Sequence, residues 1–205
     1  MYERFFGFEE PPFRLTPDPR YLFLSDKHKE ALGHLVYGLE EGAGFVAITG
    51  EIGAGKTTLL RSFLADPPKT ARYAYILNPV LSGVELLEEI NHEFGLNEKG
   101  TQRELLAALN EFLLAQKAEG HQVVLIIDEA QALGGAILEQ VRMLSNFETE
   151  TAKLLQIVLV GQPELRDLLA RADLEQLEQR ITVRWHLGPL NREETSRYIL
   201  SLIHI

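Results

Sequence analysis

Gly50-Glu51-Ile52-Gly53-Ala54-Gly55-Lys56-Thr57 sets two glycines five residues apart and follows the second with a lysine and a hydroxyl. That spacing suits a turn that wraps a polyphosphate. Glycines let consecutive backbone N–H groups curl around the anion with no Cβ in the way. A helix beginning at the end of the turn adds its positive terminus. Lys56 is then expected to reach the β- and γ-phosphates, and Thr57 to offer its hydroxyl to Mg2+. The candidate binding run is Gly50, Glu51, Ile52, Gly53, Ala54, Gly55, Lys56, Thr57 and Thr58.

A second constellation lies about 70 residues downstream, where Val123-Val124-Leu125-Ile126-Ile127 leads into Asp128-Glu129. Two carboxylates at the carboxyl end of an apolar strand sit where open α/β sheets bind ligands. Asp128 is expected to hold Mg2+ together with Thr57, and Glu129 to act as the base that polarises an attacking water. Gln162 follows another apolar run, Val158-Leu159-Val160-Gly161. It either orients that water as a sensor of the γ-phosphate or begins the next turn, and Asn146 is a weaker second sensor candidate. Arg180 directly precedes a further strand pattern. An arginine there either stabilises charge on a phosphate in a neighbouring subunit or makes a surface ion pair, with Arg166 and Arg171 as lesser candidates.

These groups need elements to carry them. Ser25 can cap a helix through Ala31, Leu32, Leu35, Val36 and Leu39 that ends near Gly42 or Gly44. Strands are predicted at Phe45–Thr49, Arg72–Leu77, Val123–Asp128, Leu155–Val160 and Ile181–Leu187. Between them come a helix through Leu59, Leu60, Phe63 and Leu64, one through Leu87, Ile90 and Phe94, and one opened by Thr101 with Glu104. Asn191 with Glu194 starts a last helix. The alternation predicts an α/β, three-layer, mainly parallel five-stranded sheet. The proline-rich opening, residues 1–24, reads as an aromatic arm packed on the core. Tyr21, Leu22 and Phe23 of that arm contribute either to an adenine pocket or to plain packing.

Composition narrows the function. A formal charge of −10 disfavours broad nucleic-acid binding, which rests on phosphate neutralisation. With no cysteine, disulfides, thiolate metal sites and cysteine nucleophiles are excluded. The six histidines lack metal-ligand spacing, and His28 and His34 read as packing or surface groups. Trp185 and His186 read as core and strand-edge residues. No apolar run approaches the roughly 20 residues of a membrane span.

Met1-Tyr2-Glu3-Arg4-Phe5-Phe6-Gly7-Phe8, Pro12 to Arg20, Glu30-Ala31-Leu32, Asp128-Glu129-Ala130-Gln131 and Gln179 to Pro189 are similar to general secretion pathway protein A ATPases. The resemblance covers nearly the whole chain and implies an AAA+ P-loop NTPase core at 25–188 with strand order 5-1-4-3-2. It further implies a helical lid from residue 189, ATP and Mg2+ as ligands, and homo-oligomers in which Arg180 completes a neighbour's site in trans. In that family the module serves type II secretion and secretin assembly, with an inner-membrane partner and a peptidoglycan-binding region beyond a membrane span. The ATPase then works at the cytoplasmic face of the inner membrane. Exosortase- and exopolysaccharide-associated ATPases are a close sibling group, and ATP-controlled regulators of DNA transposition share the core motifs. After Arg197-Tyr198-Ile199 the sequence departs from the family. One back-translation of the last six residues, CTG TCT CTT ATA CAC ATC, resembles a transposon end used in sequencing libraries. Residues 200–205 are therefore expected to be non-native and the lid of 189–205 to be cut short.

Overall fold

Helices and strands alternate along the chain in the computed structural model, which describes residues 23–77, 79, 82–97, 99–150 and 152–203. The strands are β1 (Phe45–Gly50), β2 (Ala71–Leu77), β3 (Gln122–Asp128), β4 (Gln156–Gly161) and β5 (Ile181–Leu187). They form one sheet of order β2-β3-β4-β1-β5, each neighbouring pair parallel, which is the expected 5-1-4-3-2 arrangement. The central β1, β3 and β4 are buried almost throughout, as their unbroken apolar runs require. The edge strands β2 and β5 mix buried and exposed positions.

The pleat divides the core in two. Phe45, Ala47, Leu125, Ile127, Ile157 and Leu159 face one way. They are covered by α3 (Gly83–Glu93), α4 (Gln102–Ala118), α5 (Gly134–Leu144), α6 (Pro163–Leu169) and α7 (Glu175–Arg180). Val46, Ile48, Val124, Ile126, Val158 and Val160 face the other way, under α1 (Asp26–Glu40) and α2 (Lys56–Ala65). Each such fully buried Leu, Ile or Phe stabilises the fold by about 1.5–3 kcal/mol.

Caps set the helix starts. Ser25 Oγ accepts from the backbone N–H of His28, and Thr101 with Glu104 forms the expected capping box. Ser82 with Glu85 makes a second box at α3 that the sequence reading did not assign. Asn191 and Glu194 exchange reciprocal bonds of 2.8 Å at the start of α8 (Arg192–Ile203). Sequence reasoning also missed α5, α6 and α7. α5 begins at Gly134-Gly135 with no side-chain cap, and α6 and α7 run for only 7 and 6 residues. The arm expected at 1–24 falls outside the described residues as far as residue 22. Phe23 is described, with its ring 6.1 Å from that of Tyr198 in α8 and the Arg197 guanidinium over its face.

The end of β1 is fixed by a close approach. A Cβ on Gly50 would lie 2.5 Å from the backbone carbonyl oxygen of Leu187 in β5. Because that obstacle is backbone, it cannot swing aside. Gly50→Ala is expected to cost about 2 kcal/mol, roughly 4–8 °C in Tm for a chain of this size. A thermal melt checks this, and an unchanged Tm refutes the close fit.

Candidate active site

The phosphate-type loop joins β1 to α2 at the carboxyl end of the sheet. Gly53 and Gly55 take φ of 79° and 91°, a left-handed backbone that a Cβ disfavours. Ile52 stands at the tip, 81% exposed. Lys56 is buried, and its ammonium donates to the carbonyls of Gly50 at 2.7 Å and Glu51 at 3.0 Å. Two of its three donors hold the loop in shape, and the charge is fixed inside the turn. A Lys at this point of a glycine turn, together with the helix terminus, fits a polyphosphate anion.

Asp128 closes β3 and is fully buried. Thr57 Oγ1 donates to its Oδ2 at 2.8 Å, Tyr75 Oη donates to the same oxygen at 3.1 Å, and the Glu129 N–H donates to Oδ1 at 2.9 Å. Burial and the neighbouring Asp128 carboxylate push the Tyr75 phenol up, so it stays a neutral donor. A hydroxyl and a carboxylate in contact are a hard-oxygen donor pair of the type Mg2+ takes. The residues present fit the ion.

Glu129 has φ of 54°, the one positive value outside glycine among the described residues. Left-handed backbone costs a side-chain-bearing residue about 1–2 kcal/mol, and such strain clusters at functional sites. Its Oε2 accepts from Gln131 Nε2 at 2.6 Å and from Gln162 Nε2 at 3.0 Å. The Gln162 N–H in turn donates to Gln131 Oε1 at 3.1 Å, which fixes which end of the Gln131 amide is oxygen. Two amides therefore orient one carboxylate oxygen, and Oε1 accepts no hydrogen bond from the described residues. The structure thus brings together Lys56, Thr57, Asp128, Glu129 and Gln162. Beside the loop, a cleft of about 420 Å³ is lined by Phe23, His28, Ile52, Gly53, Thr58 and Tyr198, among others. A larger cleft, about 520 Å³, lies by the amino ends of β3 and β4 and contains none of these motif residues.

Arg180 is elsewhere. It precedes β5, whose first residue pairs with the start of β1, while the loop follows the end of β1. The 7 residues of β5, at about 3.3 Å each, hold it roughly 20 Å from its own loop. Its guanidinium donates to Ser145 Oγ at 2.5 Å and Asn146 Oδ1 at 2.8 Å, with no direct carboxylate pair among the described residues. Asn146 accordingly lies beside Arg180 just past α5, not beside Gln162. Arg171 forms a two-pronged pair with Asp173, and Arg166 lies 3.7 Å from Asp167. His34 stacks on Trp185 with ring centroids 4.4 Å apart, and Trp185 is only half-buried.

Three groups escaped the sequence reading as site residues. Gln131 was visible only as the last residue of Asp128-Glu129-Ala130-Gln131. Tyr75 becomes legible once β2 is registered on β3, where it sits beside Ile126, two residues before Asp128. His28 reads in sequence as a packing or surface group, yet its Nε2 meets the carbonyl of Ala54 in the loop at 3.0 Å. Burial pulls its pKa below the usual histidine value.

Sheet order, glycine loop and the acid pair at the end of β3 define a P-loop ATPase module of the AAA+ type. The chain belongs to the AAA domain family, whose profile matches residues 39–169. It is 48% identical over 201 residues to general secretion pathway protein A of Aeromonas hydrophila, covering 97% of this chain and 37% of that protein. The chain therefore spans little more than a third of the length of this curated relative. Among solved structures, the Aeropyrum pernix ORC2 protein in its ADPNP–ADP complexes is similar with a TM-score of 0.69 and 22% identity, over 94% of this chain and 54% of that one. CDC6P of Pyrobaculum aerophilum gives 0.68 and 21%, over 98% and 53%. Those two likenesses show the shared fold.

Proposed function

We propose that this module hydrolyses Mg-ATP to power or switch the export or assembly of cell-envelope components. The observation that carries the reading is the convergence of Thr57 and Glu129 on Asp128, directly beside the lysine-bearing loop. Lys56 and the loop N–H groups hold the phosphates. Thr57 and Asp128 are the groups that would hold Mg2+, which when bound neutralises phosphate charge. Glu129, aimed by Gln131 and Gln162, accepts the proton of the attacking water through Oε1. Gln162 also reports on the γ-phosphate, since it shares the carboxylate that faces the water. Phe23 and Tyr198 flank the cleft beside the loop and offer aromatic surface to the base.

The envelope role is supported by the identity to general secretion pathway protein A along almost the whole chain. On this reading residues 25–188 are the ATPase core and 189–205 begin a lid. The module works at the cytoplasmic face of the inner membrane, as a homo-oligomer, with an inner-membrane partner and, through further regions of the parent protein, peptidoglycan. No helix among the described residues is long and apolar enough to cross a membrane. The charge of −10 counts against the DNA-regulator alternative.

Lys56→Ala tests the site. Its loss is expected to raise the Kd for Mg-ATP about 10- to 100-fold, the effect of losing one or two charge-assisted phosphate bonds. Fluorescent-nucleotide titration reads this, with circular dichroism confirming the fold. Chelating Mg2+ with EDTA is expected to abolish phosphate release by the wild type. Unchanged nucleotide affinity in Lys56→Ala, or metal-independent hydrolysis, overturns the assignment.

A further inference from the structure

His28 lies in the first turn of α1, buried, with Nδ1 2.7 Å from Ser25 Oγ and Nε2 3.0 Å from the Ala54 carbonyl. A carbonyl oxygen only accepts, so Nε2 carries the proton. Nδ1 then accepts from the Ser25 hydroxyl, which also accepts the His28 backbone N–H at 3.3 Å. The helix cap thus orients the ring, and the ring grips the loop.

The Ala54 carbonyl and the Gly55 N–H belong to one peptide group. That group is planar and trans, so its C=O and N–H point in opposite directions. Fixing the carbonyl on His28 turns the Gly55 N–H away from the ring. Gly55 is the residue before α2, where N–H groups have no intrahelical partner and are suited to an anion. A Cβ at Gly55 would lie 2.8 Å from His28 Nε2, so the ring fills the space a side chain there would need.

We propose that His28 is a positioning residue of the phosphate loop: its neutral Nε2–H imidazole fixes the Ala54–Gly55 peptide so that the Gly55 N–H is presented to a bound polyphosphate. The inference rests on the reading of the loop as the Mg-ATP site. Burial, the largest influence, favours the neutral ring; the hydrogen bond to Ala54 and the field of Glu194 at the start of α8 act the other way and are outweighed. The nucleotide loop is thereby tied to α1, the helix that precedes it in sequence.

The experiment compares wild type, His28→Phe and His28→Gln in Mg-ATP titrations and in steady-state hydrolysis, with the fold checked by circular dichroism. Phe fills the space without a donor, whereas the Gln amide nitrogen takes the place of Nε2. His28→Phe is expected to raise the Kd and KM for ATP about tenfold, with a smaller change in kcat. His28→Gln is expected within about threefold of wild type. In the wild type, 15N NMR is expected to show the Nε2–H tautomer of His28. Wild-type affinity in His28→Phe, loss in His28→Gln as large as in His28→Phe, or an Nδ1–H tautomer overturns the proposal. If His28→Phe fails to fold, an Nδ1–H tautomer in the wild type or a loss of affinity of about tenfold or more in His28→Gln overturns the proposal, and the Nε2–H tautomer with near-wild-type affinity in His28→Gln supports it. A wild-type chain that binds no Mg-ATP instead overturns the underlying site reading, so the two failures are distinguishable.

Discussion

Glu129→Gln is expected to bind Mg-ATP with wild-type affinity and to hydrolyse it about 10²- to 10⁴-fold more slowly, the contribution of a positioned general base. The substitution changes little in shape. Among the described residues Glu129 makes no hydrogen bond with Lys56 or Thr57, and its carboxylate is held by Gln131 and Gln162 through Oε2. An amide at 129 keeps one oxygen acceptor for those donors but has no basic oxygen to take a proton from water. Binding and turnover should therefore separate, which distinguishes a lost base from a damaged site. The left-handed backbone at Glu129 supports the assignment, because the fold accepts strain there to place this side chain. The measurements are a nucleotide titration and single-turnover phosphate release. Full hydrolysis by the variant would remove Glu129 from the mechanism.

Local chemistry made part of this site readable without coordinates. The turn from Gly50 to Thr57 is contiguous, so its geometry follows from glycine backbone freedom and the helix that begins at Lys56. Asp128 and Glu129 were equally exposed to reading, since an apolar run ending in acids marks the end of a core strand. The sheet order, by contrast, came from resemblance rather than from periodicity, because strand neighbours are separated by whole helices. For the same reason Gln131, Tyr75 and His28 were not assigned. Each acts across a tertiary contact: Gln131 bridges to β4's end, Tyr75 needs the β2–β3 register, and His28 lies 26 residues from its carbonyl partner. In the fold, α5 to α7 were invisible because they lack side-chain caps, and α6 and α7 are too short for a periodic stripe to stand out.

Arg180→Ala is expected to lower kcat about 10³-fold or more while leaving ATP affinity intact, and to recover when mixed with Glu129→Gln. Distance carries the argument. At roughly 20 Å from its own loop, the guanidinium has no route to the phosphates its own chain binds. In the proposed homo-oligomer, a head-to-tail neighbour is the chain that can use it. Ser145 and Asn146 hold it half-buried at the end of α5 through uncharged acceptors, and Glu148, the carboxylate its field reaches, is itself paired with Lys153. Arg171, by contrast, already forms a bidentate pair with Asp173. In an equal mixture, an Arg180→Ala subunit keeps its base, and an adjacent Glu129→Gln subunit keeps its arginine. Random assembly of a ring then gives roughly a quarter of the sites both groups, and about that share of the wild-type rate. Neither variant alone reaches it. A phosphate-release assay across mixing ratios reads the outcome. Wild-type turnover by Arg180→Ala alone would dismiss the arginine. Two inactive partners that stay inactive together would place any role it has within its own chain, against the distance that β5 imposes.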